Sequence, residues 1–236
     1  MKTKLLIIVA THGNERIGLE VVKRLKRIGL GGFFDVLVGN PRALAQNTRF
    51  IDKDLNRSYP GNSRSKFYEE RLAARNLKTA RRYDLIIDLH EASAGRDDFI
   101  IMPRSKLSNK FPIELIDLRR VLLWPKPKGP ISEVLSNSVE LEFGMKGKNK
   151  AAVVDKATRI VALFIKRLGN KQNIIVRKDI YRVFGYLPVA QKMPSTVVLK
   201  DFRKVRVDGF DFYPLLVDQY LDLGIKCYKM RKINKY

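Results

Sequence analysis

Thr11-His12-Gly13-Asn14-Glu15 sets an imidazole and a carboxylate three residues apart, directly after the apolar run Leu5 to Ala10. The chain holds one further histidine, His90, which closes a second apolar run, Leu85 to Leu89. Both runs read as strands covered on both faces, so both imidazoles are expected at strand carboxyl ends. A catalytic zinc takes three nitrogen or oxygen ligands and keeps one open position. His12, Glu15 and His90 form such a set, two from one tight loop and the third from a neighbouring strand. Asp88 precedes His90 by two residues, shares its strand face, and would orient the imidazole as ligating histidines require. The HxxE pattern is short enough to arise by chance, so the placement of the two histidines and Asp88 carries the argument.

A second carboxylate pair lies in Val139 to Phe143. There Val139, Leu141 and Phe143 point one way and Glu140 and Glu142 the other, about 6 to 7 Å apart along a strand. Periodicity does not choose between the two glutamates. The stretch Arg42 to Gly61 is polar, with little periodicity, and reads as a long loop of the kind that is usually functional. Arg49, Asn56 and Arg57 lie in it, and arginine forks suit carboxylates.

The elements that position these groups alternate in type. Ile17 to Ile28 repeats Val21, Val22, Leu25 and Ile28 at helical spacing, with Gly29 placed to stop it. Phe33 to Val38 is a strand, Ser65 to Arg82 a helix with Phe67, Ala74 and Leu77 inward, and Phe99 to Met102 and Val121 to Trp124 are strands. A turn at Pro125 to Pro130 follows, and a helix from Ala151 to Leu168 ends at Gly169-Asn170. Short β-type runs come next: Ile174 to Val176, Thr196 to Leu199, Tyr213 to Val217 and Ile225 to Tyr228. This predicts an α/β layered domain over 1–170, with ligands at the strand carboxyl ends, and a β-rich C-terminal domain over 171–236 that finishes in a basic tail, Lys229 to Tyr236.

At 236 residues and 45% hydrophobic, the chain can bury a substantial core. Its one cysteine, Cys227, excludes an intramolecular disulfide and fits a reducing cytoplasm. Lys2-Thr3-Lys4 followed by Leu5 to Ala10 is too short for a signal peptide, and no run approaches a membrane span, so a soluble, cytoplasmic protein is expected. Lys and Arg number 47 against 24 Asp and Glu, a formal charge of +23. Such a field draws anions, nucleic acid among them, although no nucleic-acid-binding motif is present.

His12-Gly13-Asn14-Glu15, Asn40-Pro41-Arg42-Ala43, Thr48-Arg49-Phe50-Ile51-Asp52, Asp54-Leu55-Asn56-Arg57, Asp88-Leu89-His90 and Glu142-Phe143-Gly144 occur in the order and rough spacing of the succinylglutamate desuccinylase/aspartoacylase family. The chain resembles these zinc carboxypeptidase-like hydrolases over residues 5–144. Phe212-Tyr213-Pro214-Leu215-Leu216-Val217 resembles, more weakly, the tyrosine-bearing segment of the family's C-terminal β domain. The resemblance implies a mixed central sheet flanked by helices with a small C-terminal β-rich domain, and one zinc per chain on His12, Glu15 and His90. It implies Glu142 as general base, Arg49 as polariser of the scissile carbonyl, Asn56 and Arg57 as the grip on a substrate carboxylate, and Tyr213 as a tyrosine reaching in from the appended domain.

In that reading zinc lowers the pKa of a water to roughly 7 and the neighbouring carboxylate takes its proton. The expected activity is cleavage of the amide of an N-acyl amino acid or similar small acidic substrate. The alternatives are a carboxypeptidase-like peptidase, or a nucleic-acid-binding protein on a hydrolase fold. Two departures leave the acyl group and amino acid open. In Glu91-Ala92-Ser93, Ala92 offers no hydroxyl where the family commonly has small hydroxyl residues soon after the second histidine, and Ser132 stands where aspartoacylase carries a further substrate arginine, with Lys126 and Lys128 the nearest upstream cations.

Overall fold

The computed structural model describes residues 3–93, 95–103, 111–124, 129–169, 175–194 and 196–233. Lys126 and Lys128 in the turn at 125–128, Asn170, Ile174 and the end of the basic tail lie outside the described residues. Strand β1 (Leu5–Val9) leads to α1 (Ile17–Arg27), β2 (Phe34–Val38), α2 (Pro41–Gln46), α3 (Tyr68–Ala80) and β3 (Leu85–Ala92). Then come β4 (Phe99–Pro103), β5 (Arg120–Trp124), α4 (Ile131–Val134), β6 (Ser138–Gly144) and α5 (Lys150–Gly169). The chain finishes with β7 (Asp179–Pro188), β8 (Val205–Val207), β9 (Phe210–Leu215) and β10 (Ile225–Ile233).

The strands form one mixed sheet in the order β2-β1-β3-β6-β4-β5-β7-β10-β9-β8. β2, β1, β3 and β6 run parallel, and β4 enters antiparallel to β6. The two faces divide by residue parity, as a strand requires. Leu5, Ile7 and Val9 of β1, with Leu85, Ile87 and Leu89 of β3 and Val139, Leu141 and Phe143 of β6, share one core with Val21 and Leu25 of α1 and Val153 and Ile160 of α5. Leu6, Ile8 and Ile86 face the opposite way, onto Leu72, Ala73 and Leu77 of α3. Helices therefore flank the sheet on both sides, the mixed α/β arrangement the sequence implies.

Three expectations change. The polar stretch after β2 is not all loop: Asn40 Oδ1 accepts the Ala43 amide at 3.1 Å, Pro41 opens α2, and Asn47, with φ of 53°, closes it. A six-residue helix is too short to show periodicity. Helix α3 starts at Tyr68 rather than Ser65, because Phe67 is extended and the Asp52 carboxylate caps the Tyr68 amide at 2.7 Å. Its buried residues include Tyr68, Leu72, Ala73 and Leu77, while Phe67 and Ala74 are half-buried. Beyond residue 170, Val176 and Thr196 to Leu199 are not in strands. Two strands are added there: β7, where Arg182 interrupts Ile180, Tyr181, Val183 and Phe184 and hides it from a search for continuous apolar runs, and β8, only three residues long. β7 joins the sheet beside β5, so the C-terminal strands extend the sheet that holds the histidines.

Candidate metal centre and active site

His12 sits two residues past Ala10, whose positive φ of 52° turns the chain out of β1. The Glu15 amide returns to the His12 carbonyl at 3.0 Å, which brings both side chains to one side of the turn. Gly13 is pressed on α2: a Cβ there would lie 2.0 Å from the Ala43 carbonyl carbon, so no larger residue fits without moving that helix. His90 projects from β3 on the same sheet face as Asp88. Parallel pairing with β6 sets Asp88 beside Glu140 and His90 beside Glu142.

The three expected ligands converge. Glu15 Oε1 lies 2.6 Å from His12 Nδ1 and Glu15 Oε2 lies 2.9 Å from His90 Nδ1, all three residues being buried. Their donor atoms fall within 4.8 Å of one another, so the group could hold a metal ion. The far nitrogens are each held by a carboxylate. His12 Nε2 meets Asp54 Oδ1 at 3.0 Å and His90 Nε2 meets Asp88 Oδ2 at 3.1 Å. Asp88 is fixed in turn by the Thr11 hydroxyl, at 2.9 and 3.0 Å from its two oxygens. This is the carboxylate support that metal-ligating histidines usually have.

The electrostatics agree with the geometry. Burial works against charge on both imidazoles, yet Glu15 and Asp54 outweigh it at His12, and Asp88 and Glu15 outweigh it at His90, so both are raised from the ordinary histidine value, His90 strongly. Burial likewise opposes charge on Glu15 and Asp54. The two imidazoles hold Glu15 far below the usual carboxylate range, and His12 and Arg49 do the same for Asp54. Carboxylates that pull protons onto these imidazoles would equally draw a divalent cation between them.

The two strand glutamates separate here. Glu140 is fully engaged: Ser132 Oγ donates to it at 2.5 Å, Asn56 Nδ2 lies 3.4 Å away, and burial raises its pKa. Glu142 has no hydrogen bond among the described residues and lines a small cavity of about 80 Å³ with His12, Arg49, Asn56, Arg57 and Tyr220. Burial first, then Glu15 and Glu140, lift its carboxyl to about 7 against the opposing pull of His90.

Arg49 Nη2 donates to Asp54 at 3.0 Å and its Nη1 stands 3.7 Å from Glu15. Asn56 is buried and its Oδ1 has no hydrogen-bond donor among the described residues. Arg57 is exposed, tied to the Asn56 carbonyl at 2.9 Å. The segment carrying all three is shaped by Glu69 of α3, whose buried carboxylate accepts the amides of Ile51, Asp52 and Lys53 and the side chain of Asn40.

Tyr213 is not among the cavity's lining residues. It lies on β9 with its ring 5.2 Å from that of Tyr181, in the C-terminal core. The tyrosine that reaches the cavity is Tyr220, swung in by a turn with left-handed Leu216 and Asp218. Sequence reasoning gave no role to Tyr220 or Asp54 and named Ser132 only as a departure from the family pattern. Asp54 stood within a quoted motif and was the most accessible signal, whereas nothing in the local pattern around Tyr220 marks it.

Residues 2–116 match the family model for the succinylglutamate desuccinylase/aspartoacylase catalytic domain. The chain is 32% identical over 135 residues to a probable aspartoacylase of Prochlorococcus marinus, a match covering 48% of this chain and 45% of that protein. It is 32% identical over 143 residues to the aspartoacylase of Mus musculus, covering 52% and 45%. The chain thus spans a little under half the length of these curated relatives. Its fold superposes on the succinylglutamate desuccinylase of Chromobacterium violaceum with a TM-score of 0.77, at 19% identity, covering 99% of this chain and 86% of that one. Murine aminoacylase 3 gives 0.73 at 18% identity, covering 98% and 96%. Sequence and fold comparisons thus converge on the succinylglutamate desuccinylase/aspartoacylase family as the one this chain resembles.

Proposed function

We propose that the protein is a zinc-dependent amide hydrolase that deacylates an N-acyl amino acid or a similar small acidic substrate. The observation that carries this reading is the convergence of His12 Nδ1, His90 Nδ1 and Glu15 beside a half-buried Glu142, whose carboxylate has no hydrogen bond among the described residues, in a cavity edged by cations. One zinc per chain would be held by His12, Glu15 and His90, with Asp54 and Asp88 fixing the two rings. When bound, the ion supplies a Lewis acid for the scissile carbonyl and acidifies a water.

The chain's own residues do the rest. Glu142 takes a proton from the attacking water and returns it to the leaving amine nitrogen; a carboxyl near neutrality suits both transfers. Arg49 donates to the carbonyl oxygen as negative charge develops there. Arg57 grips a substrate carboxylate, and Asn56 completes the grip, its orphan Oδ1 accepting a substrate N–H. Tyr220 takes the place at the cavity that the sequence assigned to Tyr213. No helix of the described chain is long and apolar enough to cross a membrane. A buried, unpaired Cys227 supports a cytoplasmic setting.

The test is a metal assay joined to a turnover screen of N-acyl amino acids, acidic ones first, and short peptides. Wild type should carry one zinc per chain, His90→Ala should lose metal and turnover together, and Glu142→Gln should keep the metal and lose turnover. A folded wild type that takes up no zinc, or a Glu142→Gln enzyme of undiminished rate, refutes the assignment. Turnover of peptides alone would replace the deacylase with a peptidase.

A further inference from the structure

Helix α3 buries Leu72, Ala73 and Leu77 against the sheet and turns Arg71, Arg75 and Lys78 outward. These lie at i, i+4 and i+7, one stripe about 10 Å long. With Arg42 they line an open groove of about 820 Å³ in which no acidic side chain takes part. Among the described residues none of the four cations makes an ion pair. The acids of the helix's first turn are committed elsewhere, Glu69 to backbone amides and Glu70 to Lys53 at 2.6 Å. Two of the cations are held in place. The Arg42 guanidinium lies 4.6 Å from the Tyr68 ring centroid, and Arg71 donates to the carbonyls of Ser65 and Lys66 at 2.6 and 2.7 Å. Like charges at this spacing destabilise a helix, and neither the core nor the proposed hydrolysis uses them. They are accounted for by an external anion that spans the stripe.

We propose that α3 and Arg42 form a docking surface for the phosphate backbone of duplex DNA. A duplex presents one charge per roughly 1.7 Å of axis, so a 10 Å stripe meets several phosphates at once. A single strand would gain from open aromatic faces, but the groove's one ring, Tyr68, is buried beneath Arg42. The helix is half embedded in the molecule and cannot enter a major groove, so recognition runs along the backbone and is independent of sequence.

The experiment is fluorescence anisotropy of a labelled duplex of about twenty base pairs with the full chain, over a salt series. Wild type should bind at low salt. The triple variant Arg71→Ala/Arg75→Ala/Lys78→Ala should lose affinity roughly tenfold or more and flatten the log-log salt slope by about 2.7, at 0.9 per phosphate contact. A control triple on α1, Lys23→Ala/Lys26→Ala/Arg27→Ala, removes the same charge and should change affinity by less than about twofold, because phosphate contacts are local. If the first triple does not fold, the exposed pair Arg75→Gln/Lys78→Gln should still flatten the slope by about 1.8. Amide hydrolysis should be unchanged in all of them, which separates this surface from the active site. No binding by wild type, equal losses in both triples, or tighter binding of the single strand of the same length overturns the proposal.

Discussion

Glu69→Gln should loosen the substrate-side segment while leaving the metal in place. The native carboxylate is fully buried. It takes Ile51 N at 2.7 Å and Asn40 Nδ2 at 3.0 Å on one oxygen, and Asp52 N at 3.0 Å and Lys53 N at 3.1 Å on the other. Glutamine keeps one acceptor and turns an N–H toward two amide donors. Each hydrogen bond to a charged acceptor is worth about 1.5 to 3 kcal/mol, and Asp52 is exposed enough to regain water, so a net loss of about 3 kcal/mol is expected. At roughly 2 to 4 °C per kcal/mol for a chain of this size, Tm should fall by about 6 to 12 °C. Arg49 precedes the segment Glu69 organises by two residues and Asn56 and Arg57 follow it by three and four, so KM should rise more than kcat falls. His12, Glu15 and His90 lie outside it, so zinc stoichiometry should hold. Thermal unfolding, metal analysis and steady-state kinetics on one preparation decide the matter, with Glu20→Gln, an exposed carboxylate on α1, as the silent control. A Glu69→Gln protein that melts within about 2 °C of wild type would refute the reasoning.

Chelating the metal should lower Tm by about 8 to 16 °C, the equivalent of about 4 kcal/mol for zinc present at a thousandfold over its Kd, and zinc should restore it; identical melts with and without chelator contradict a metal at this centre. Gly13→Ala should reduce both zinc content and Tm, since the new Cβ would meet the α2 backbone at 2.0 to 2.3 Å, and a fully loaded, wild-type-stable variant counts against the close approach. Cys227 is fully buried with its thiol pushed up to about 12 by burial, so a thiol reagent at pH 8 should label it only after unfolding in guanidinium, as mass spectrometry would show.

The ligand set was legible because it depends on two short-range regularities. Apolar runs end where strands end, and residues two apart on a strand share a face, so His12, His90 and Asp88 could be placed without coordinates. The same parity put Glu140 and Glu142 together but could not rank them. Their roles diverge through Ser132 and Asn56, contacts made from α4 and from the Leu55–Arg57 turn, which no periodicity encodes. Asp54 and Tyr220 escaped for a related reason. One acts across 42 residues on His12, and the other is delivered by a turn whose left-handed residues are a leucine and an aspartate instead of glycine. Tyr213 is singled out by the likeness of Phe212 to Val217 to the family's tyrosine-bearing segment; it lies on β9 with its ring 5.2 Å from that of Tyr181.

The charge distribution supplies an argument for the metal that does not pass through any motif. In a chain with 47 basic and 24 acidic residues, five carboxylates, Glu15, Asp54, Asp88, Glu140 and Glu142, surround two imidazoles at the carboxyl ends of β1, β3 and β6. Burying carboxylates is costly unless cations or donors meet them. Thr11 and Ser132 offer hydroxyls, and Arg49 serves Asp54 and stands near Glu15, yet among the described residues the Glu142 carboxylate has no such partner, and Glu15 is shared between two rings. Lysines and arginines are abundant in this molecule and lie mostly on its outside, so the deficit is not one of composition. A divalent cation among His12, Glu15 and His90 would offset it.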